Sequence, residues 1–163
     1  MRTPSPAPPS VVRRSWSADL APETLYALLK LRVDVFVVEQ KCPYPELDGR
    51  DLEPRSRHYW LAGGSSGSDG SGPVLGTVRL LKEPDKSYRI GRICVVRELR
   101  GKGLGRRLMD AILAEVGGGD CVLDAQTPYV GFYTSFGFTP IGDPYDWDGL
   151  EHVPMRRPGR RAS

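Results

Sequence analysis

Apolar positions fall on a helical period in two long stretches of the chain and form short runs elsewhere. Leu25, Leu28, Leu29, Leu31, Val35 and Phe36 recur at mostly helical spacing, interrupted by Lys30 and Arg32. Pro22 suits an early helical position and Glu23 the first turn, so a helix is predicted over 22–37. The prolines of Cys42-Pro43-Tyr44-Pro45 disfavour helix and lack N–H donors, which ends any helix there. Leu104, Leu108, Met109, Ile112, Leu113 and Val116 share one face of a second helix, which stops at Gly117-Gly118-Gly119. A third, short helix is predicted over 129–136, stopped by Gly137. Apolar or alternating runs predict strands at 11–16, 57–62, 74–81, 88–96, 121–125, 138–141 and 150–155. The last two flank a turn, Tyr145-Asp146-Trp147-Asp148-Gly149.

Three consecutive strands favour an antiparallel meander, and the following strand–helix–strand unit favours a parallel pair. The expected class is therefore α/β, a mixed sheet with helices on both faces. Residues 63–73, GGSSGSDGSGP, have the composition of a flexible linker and are expected to join two antiparallel strands. With 163 residues the chain suits a single domain, placed at 11–157. Residues 1–10, rich in Pro and Ser and without an apolar core, are expected to be a disordered lead rather than a signal peptide. Residues 158–163 are expected to be a disordered basic tail.

Composition changes this picture little. The net charge of +3 fits an anionic small molecule as well as nucleic acid, and no groove-reading motif with interleaved aromatics favours the latter. Cys42, Cys94 and Cys121 are odd in number and far apart, which argues against disulfides or a metal site and for a reducing compartment. No apolar run approaches membrane-spanning length, so a cytoplasmic location is expected.

The chemistry concentrates where an apolar run ending in Ile93-Cys94-Val95 passes through a charged turn into Arg100-Gly101-Lys102-Gly103-Leu104-Gly105 and then a helix. Unshielded backbone N–H groups at a helix N-terminus, flanked by cations, suit a phosphate-bearing ligand. A P-loop would need Lys and a hydroxyl beside its last glycine; here Lys102 precedes Gly103 and no hydroxyl follows. A dinucleotide fingerprint would need a third glycine where Arg106 stands, although Asp124 lies a plausible distance downstream.

Arg100-x-x-Gly103-x-Gly105 after a strand resembles the pyrophosphate loop of the GNAT superfamily of acetyl-CoA-dependent N-acetyltransferases. Gln126 follows the next strand, where that superfamily often has an amide, and Phe132-Tyr133-x-x-x-Gly137-Phe138 is similar to its C-terminal F-Y-x-x-x-G-F. Val35-Phe36-Val37-Val38-Glu39-Gln40-Lys41-Cys42-Pro43-Tyr44, Asp48-Gly49-x-Asp51, Arg57-His58 and Asp148-Gly149-x-x-His152 resemble the ElaA-like branch. The resemblance covers roughly residues 20–156.

It implies a mostly antiparallel sheet of six or seven strands, splayed at a central parallel pair, with acetyl-CoA as donor and no metal. Ile93, Cys94 and Val95 would line the pantetheine slot by main chain. Gly101 to Arg106, through Lys102, Gly103, Leu104 and Gly105, would cradle the pyrophosphate, and Gln126 and Phe132 would also contact the cofactor. Tyr133 would be the general acid that protonates the leaving thiolate. The base stays open. Glu39 comes first, because burial in its apolar run would raise its pKa; His152, His58 or a water relay could serve instead. Asp48 and Asp51 either attract a cationic acceptor or form a solvated turn. The acceptor would be a small-molecule, peptide or protein amine attacking directly in a ternary complex, with Cys94 not required as acyl carrier. A non-catalytic acyl-CoA-binding module is the alternative, and oligomeric state, a homodimer included, stays open.

Overall fold

A computed structural model describes residues 5–42, 45–65, 69–147 and 149–160. Among them the sheet has eight strands, one more than the upper expectation: β1 (Ser10–Trp16), β2 (Arg57–Gly63), β3 (Val74–Lys82), β4 (Tyr88–Val95), β5 (Cys121–Gln126), β6 (Thr139–Pro140), β7 (Tyr145–Trp147) and β8 (Leu150–Arg157). The order is β1-β2-β3-β4-β5-β8-β6, with β7 also pairing β8. The extra strand is β7, which occupies part of the segment expected to be a turn: Tyr145 pairs with His152 and Trp147 with Leu150. Asp148 lies outside the described residues.

Helices cover both faces. α2 (Leu104–Val116) buries Leu104, Leu108, Met109, Ile112 and Val116 against Leu61, Leu80, Ile90, Leu123 and Met155. The short α3 (Val130–Thr134) adds Tyr133 to that core. On the other face, α1 (Pro22–Arg32) packs Leu28 against Trp60 and Ala62, and Leu31 beside Cys94. α1 does not continue as α-helix to residue 37. From Val33 to Glu39 the chain is π-helical, with the N–H of Gln40 bonding the carbonyl of Val35 and that of Cys42 bonding Phe36. The widened turn is a form found mostly at functional sites. Pro43 and Tyr44 lie outside the described residues.

The meander β1–β4 is antiparallel and β4–β5 is parallel. That parallel ladder holds only at Tyr88–Cys121 and Arg89–Val122; beyond it β4 and β5 diverge. β4 also carries one residue more than β3 between Cys94 and Gly91, a bulge at which Arg92 adopts φ 57°. The wedge between the diverging strands is where the site lies.

Both ends of the chain are more closely held than composition suggests. Residues 5–9 have no regular structure, yet the Pro9 carbonyl accepts from Gly64 and the Ser5 carbonyl from Lys102. At the other end the Arg160 N–H bonds the Gly118 carbonyl and Gly159 bonds Asp120. Residues 66–68 of the 63–73 loop lie outside the described residues.

Candidate active site

A cleft of about 590 Å³ opens where β4 and β5 part. Its walls contain Ile93, Cys94, Val95, Arg100, Gly101, Gly103, Leu104, Gly105, Arg106, Gln126, Phe132, Tyr133 and His152, so the structure brings together thirteen of the fifteen expected site residues. Glu39 and Lys102 are the two it does not.

The glycine loop forms one end. Gly101 and Gly103 have φ of 77° and 83°, a region costly for any residue with a Cβ, and nothing lies within 4 Å of where such a Cβ would point. Gly103 is also the N-cap of α2, whose first turn contains no acidic residue but does contain Arg106. The first N–H groups of a helix have no partner within it. An anion placed there meets those donors, the helix dipole and a guanidinium, with no carboxylate competing. Arg106 is held over the Phe136 ring at 4.5 Å and bonds the Ser135 hydroxyl at 2.9 Å. Lys102 turns away and donates to the Ser5 carbonyl at 2.7 Å.

Tyr133 also lines the cleft. Its ring is packed edge-on against Phe132 and Phe138, which fixes its direction. Burial pushes the phenol well above its ordinary pKa, so it is protonated at any working pH. Cys94 is likewise buried and its thiol is pushed up to about 12, which leaves almost no thiolate near neutrality.

Glu39 is not the buried, raised carboxylate that its apolar neighbours predict. At the end of the π-helical segment it is exposed and forms a bidentate ion pair with Arg100. That pair holds its pKa below the usual carboxylate range. Arg100 also donates to the Val95 carbonyl at 3.1 Å, so the pair ties the end of the π-helical segment to the glycine loop. His152 is buried, stacked on Tyr145 at 5.7 Å and tilted against Trp147 at 5.9 Å. Its Nδ1 lies 2.9 Å from the Leu150 carbonyl, which can only accept. Nδ1 therefore carries the proton in the neutral ring, and the lone pair is on Nε2.

Asp48 and Asp51 are both ion-paired, Asp48 at an exposed position and Asp51 at a buried one. Asp51 is buried and bonds Arg32 and Arg79; Asp48 bonds Arg79 and pairs with Arg92. Arg32 is fully buried and also bonds Glu46. His58 is buried against the Asp51 carbonyl, and burial lowers its pKa. It does not line the cleft. Sequence reasoning missed Gln40, which accepts from the Gln126 amide at 2.9 Å across the cleft, and Arg79, Arg89, Gly91, Arg92 and Trp147.

A family model described as an acetyltransferase (GNAT) domain matches residues 67–158. The UPF0039 protein Rv2851c of Mycobacterium tuberculosis is 50% identical over 151 residues, 91% of this chain and 93% of that protein. Protein ElaA of Escherichia coli is 38% identical over 153 residues, 86% of this chain and 91% of that protein.

This chain belongs to the GNAT acetyltransferase family.

The crystal structure of E. coli ElaA superposes with a TM-score of 0.81 at 35% identity, covering 91% of this chain and 99% of that one. An acyl-CoA N-acyltransferase from Pseudomonas aeruginosa gives 0.80 at 35% identity over the same shares. The splayed β4–β5 wedge with the glycine loop at its end is thus a GNAT fold, and the GNAT fold implies an acyl-CoA donor and an amine acceptor. Among the described residues no helix is long and apolar enough to cross a membrane.

Proposed function

We propose that this GNAT chain transfers the acetyl group of acetyl-CoA to a primary amine by direct attack within a ternary complex. The observation that carries the reading is one cleft lined by the open glycine loop together with Tyr133 and His152. Acetyl-CoA supplies the activated acyl thioester. The β4 backbone at Ile93 to Val95 is free of β5 along that stretch, so it can pair with an extended chain laid between the strands. Gly101 to Gly105 and Arg106 hold the pyrophosphate, and Gln126 bonds the pantetheine after exchanging its partner Gln40.

Tyr133 is the general acid. Its hydroxyl has no hydrogen-bond partner among the described residues, and its raised pKa keeps the proton available for the departing sulfur. His152 is the base that takes the amine's proton at Nε2, with Nδ1–H held by Leu150. Glu39, ion-paired and depressed, is the weaker base and serves to position Arg100. A backbone N–H near Val95 stabilises the oxyanion. Cys94 stays a thiol and carries no acyl group. Release of CoA thiol with a panel of amines tests the reading: amine-dependent release supports it, and binding of acetyl-CoA without release at any amine contradicts it.

A further inference from the structure

The cleft walls contain five arginines, Arg79, Arg89, Arg92, Arg100 and Arg106, against one carboxylate, Asp124, among the described residues. Arg100 and Arg106 belong to the glycine loop and the start of α2, and the donor's phosphates account for them. The other three stand on β3 and β4, away from that loop.

Register places them. Leu80 and Ile90 pair and face α2, so Arg79, Arg89 and Gly91 lie on the opposite face, that of α1. Arg79 is directly across from Gly91 and diagonal to Arg89. On β5, Leu123 and Ala125 face α2, so Asp124 and Gln126 share the α1 face, with His152 opposite Gln126. One side of the wedge is therefore a floor at Gly91 walled by two guanidiniums, and the other side carries Asp124 and His152.

The glycine is not demanded by backbone conformation. Its φ is not in the left-handed region, and a Cβ there would meet nothing within 4 Å. A glycine inside a strand weakens it, and such a position recurs where a ligand approaches the backbone closely. The guanidiniums have donors to spare. Arg79 is only 4% exposed; its Nη atoms are taken by Asp48 and Asp51, yet its buried Nε has no hydrogen-bond partner. Arg89 gives Nη1 to Asp124 at 2.9 Å and sets Nε 3.5 Å from Glu83, which leaves Nη2 without a partner among the described residues. A buried, unsatisfied guanidinium N–H is costly unless a ligand completes it.

We infer that the acceptor is an amine that also carries a carboxylate, seated over Gly91 between Arg79 and Arg89, with its amine on the Asp124 and His152 side. The inference rests on the acetyl-transfer reading of the same cleft. Along β4, Gly91 is two residues from Ile93, close enough for an amino acid or short peptide to reach from one to the other. Polyamines bring no carboxylate for the Arg79 Nε and Arg89 Nη2 donors and are disfavoured.

The test is calorimetric binding to the full chain saturated with CoA, which cannot turn over. The probes are amino acids and dipeptides, the same compounds as carboxamides, and spermidine. The free carboxylates are expected to bind at least tenfold tighter than their amides. That preference should fall below threefold in Arg89→Gln, a side chain one-third exposed, and recover in part in Arg89→Lys. Gly91→Val should weaken every carboxylate. Amides or spermidine binding as tightly as the carboxylates, or no carboxylate-bearing amine binding at all, overturns the inference. Tight carboxylate binding without thiol release from acetyl-CoA overturns the transfer reading and leaves this one standing.

Discussion

Tyr133 and His152 carry the account at the scale of single residues. The phenol is held by two aromatic rings and kept protonated by burial, which suits it to give a proton rather than take one. General acid–base groups contribute roughly 100- to 10,000-fold to rate. Tyr133→Phe is therefore expected to lower kcat by about 100-fold or more with little change in acetyl-CoA affinity, measured by steady-state kinetics and calorimetry. A residue that takes the amine's proton contributes on the same scale, so His152→Gln is expected to lower kcat/KM by about 100-fold with acetyl-CoA affinity retained, measured by the same assays. Glu39→Gln should cost much less, because the Arg100 ion pair holds its pKa below the usual carboxylate range. That Tyr133 and Gln126 line the cleft was legible in the sequence, because Gln126 ends β5 and Tyr133 sits in the local pattern after it. Glu39 was misread because the apolar run around it gives no sign of the π-helical turn that leaves it exposed beside Arg100, 61 residues away in sequence.

The loop after α1 and the glycine turn show the same division among elements. Asp48-Gly49-Arg50-Asp51 reads locally as a polar turn, but its partners Arg32, Arg79 and Arg92 come from α1, β3 and β4. Burial alone would raise Asp51, and the Arg32 and Arg79 guanidiniums overcome it and hold the carboxyl below its ordinary value. A depressed folded pKa contributes stability above the unfolded carboxylate value of about 3.9 and loses it as pH falls through the folded one. His58, lowered chiefly by burial, adds to the acid-side loss, whereas Glu46, raised chiefly by burial, opposes it. Asp51→Ala leaves two buried guanidiniums short of a partner and should cost about 3–5 kcal/mol in urea unfolding at neutral pH. The difference from wild type should narrow as pH falls below about 4. In the glycine turn the local pattern was sufficient to place a helix N-terminus after a strand, whereas the left-handed φ of Gly101 and Gly103 came with the structure. Gly103→Ala, at φ 83°, should strain the turn by about 1 kcal/mol and weaken acetyl-CoA binding at least tenfold by calorimetry.

At the scale of the molecule, a parallel pair that stops after two rungs turns a continuous sheet into a binding wedge. The order of strands and helices, the face of α2 and the antiparallel-then-parallel topology were legible, because periodicity and turn residues carry them. The eighth strand was not, since Tyr145-Asp146-Trp147 is short and exposed and pairs with β8 over three residues. Nor were Arg79, Arg89 and Arg92, which come together in the cleft only once β3 and β4 are paired. Acyl transfer from acetyl-CoA to an amine is the claim on which the rest stands. Its most direct measurement is the amount of CoA thiol released, matched to the amount of N-acetylated product, when the full chain meets acetyl-CoA and a panel of amines. The account predicts equal amounts of thiol and acetylated amine, lost together in Tyr133→Phe. Acetyl-CoA bound stoichiometrically with neither product formed at any amine would contradict it.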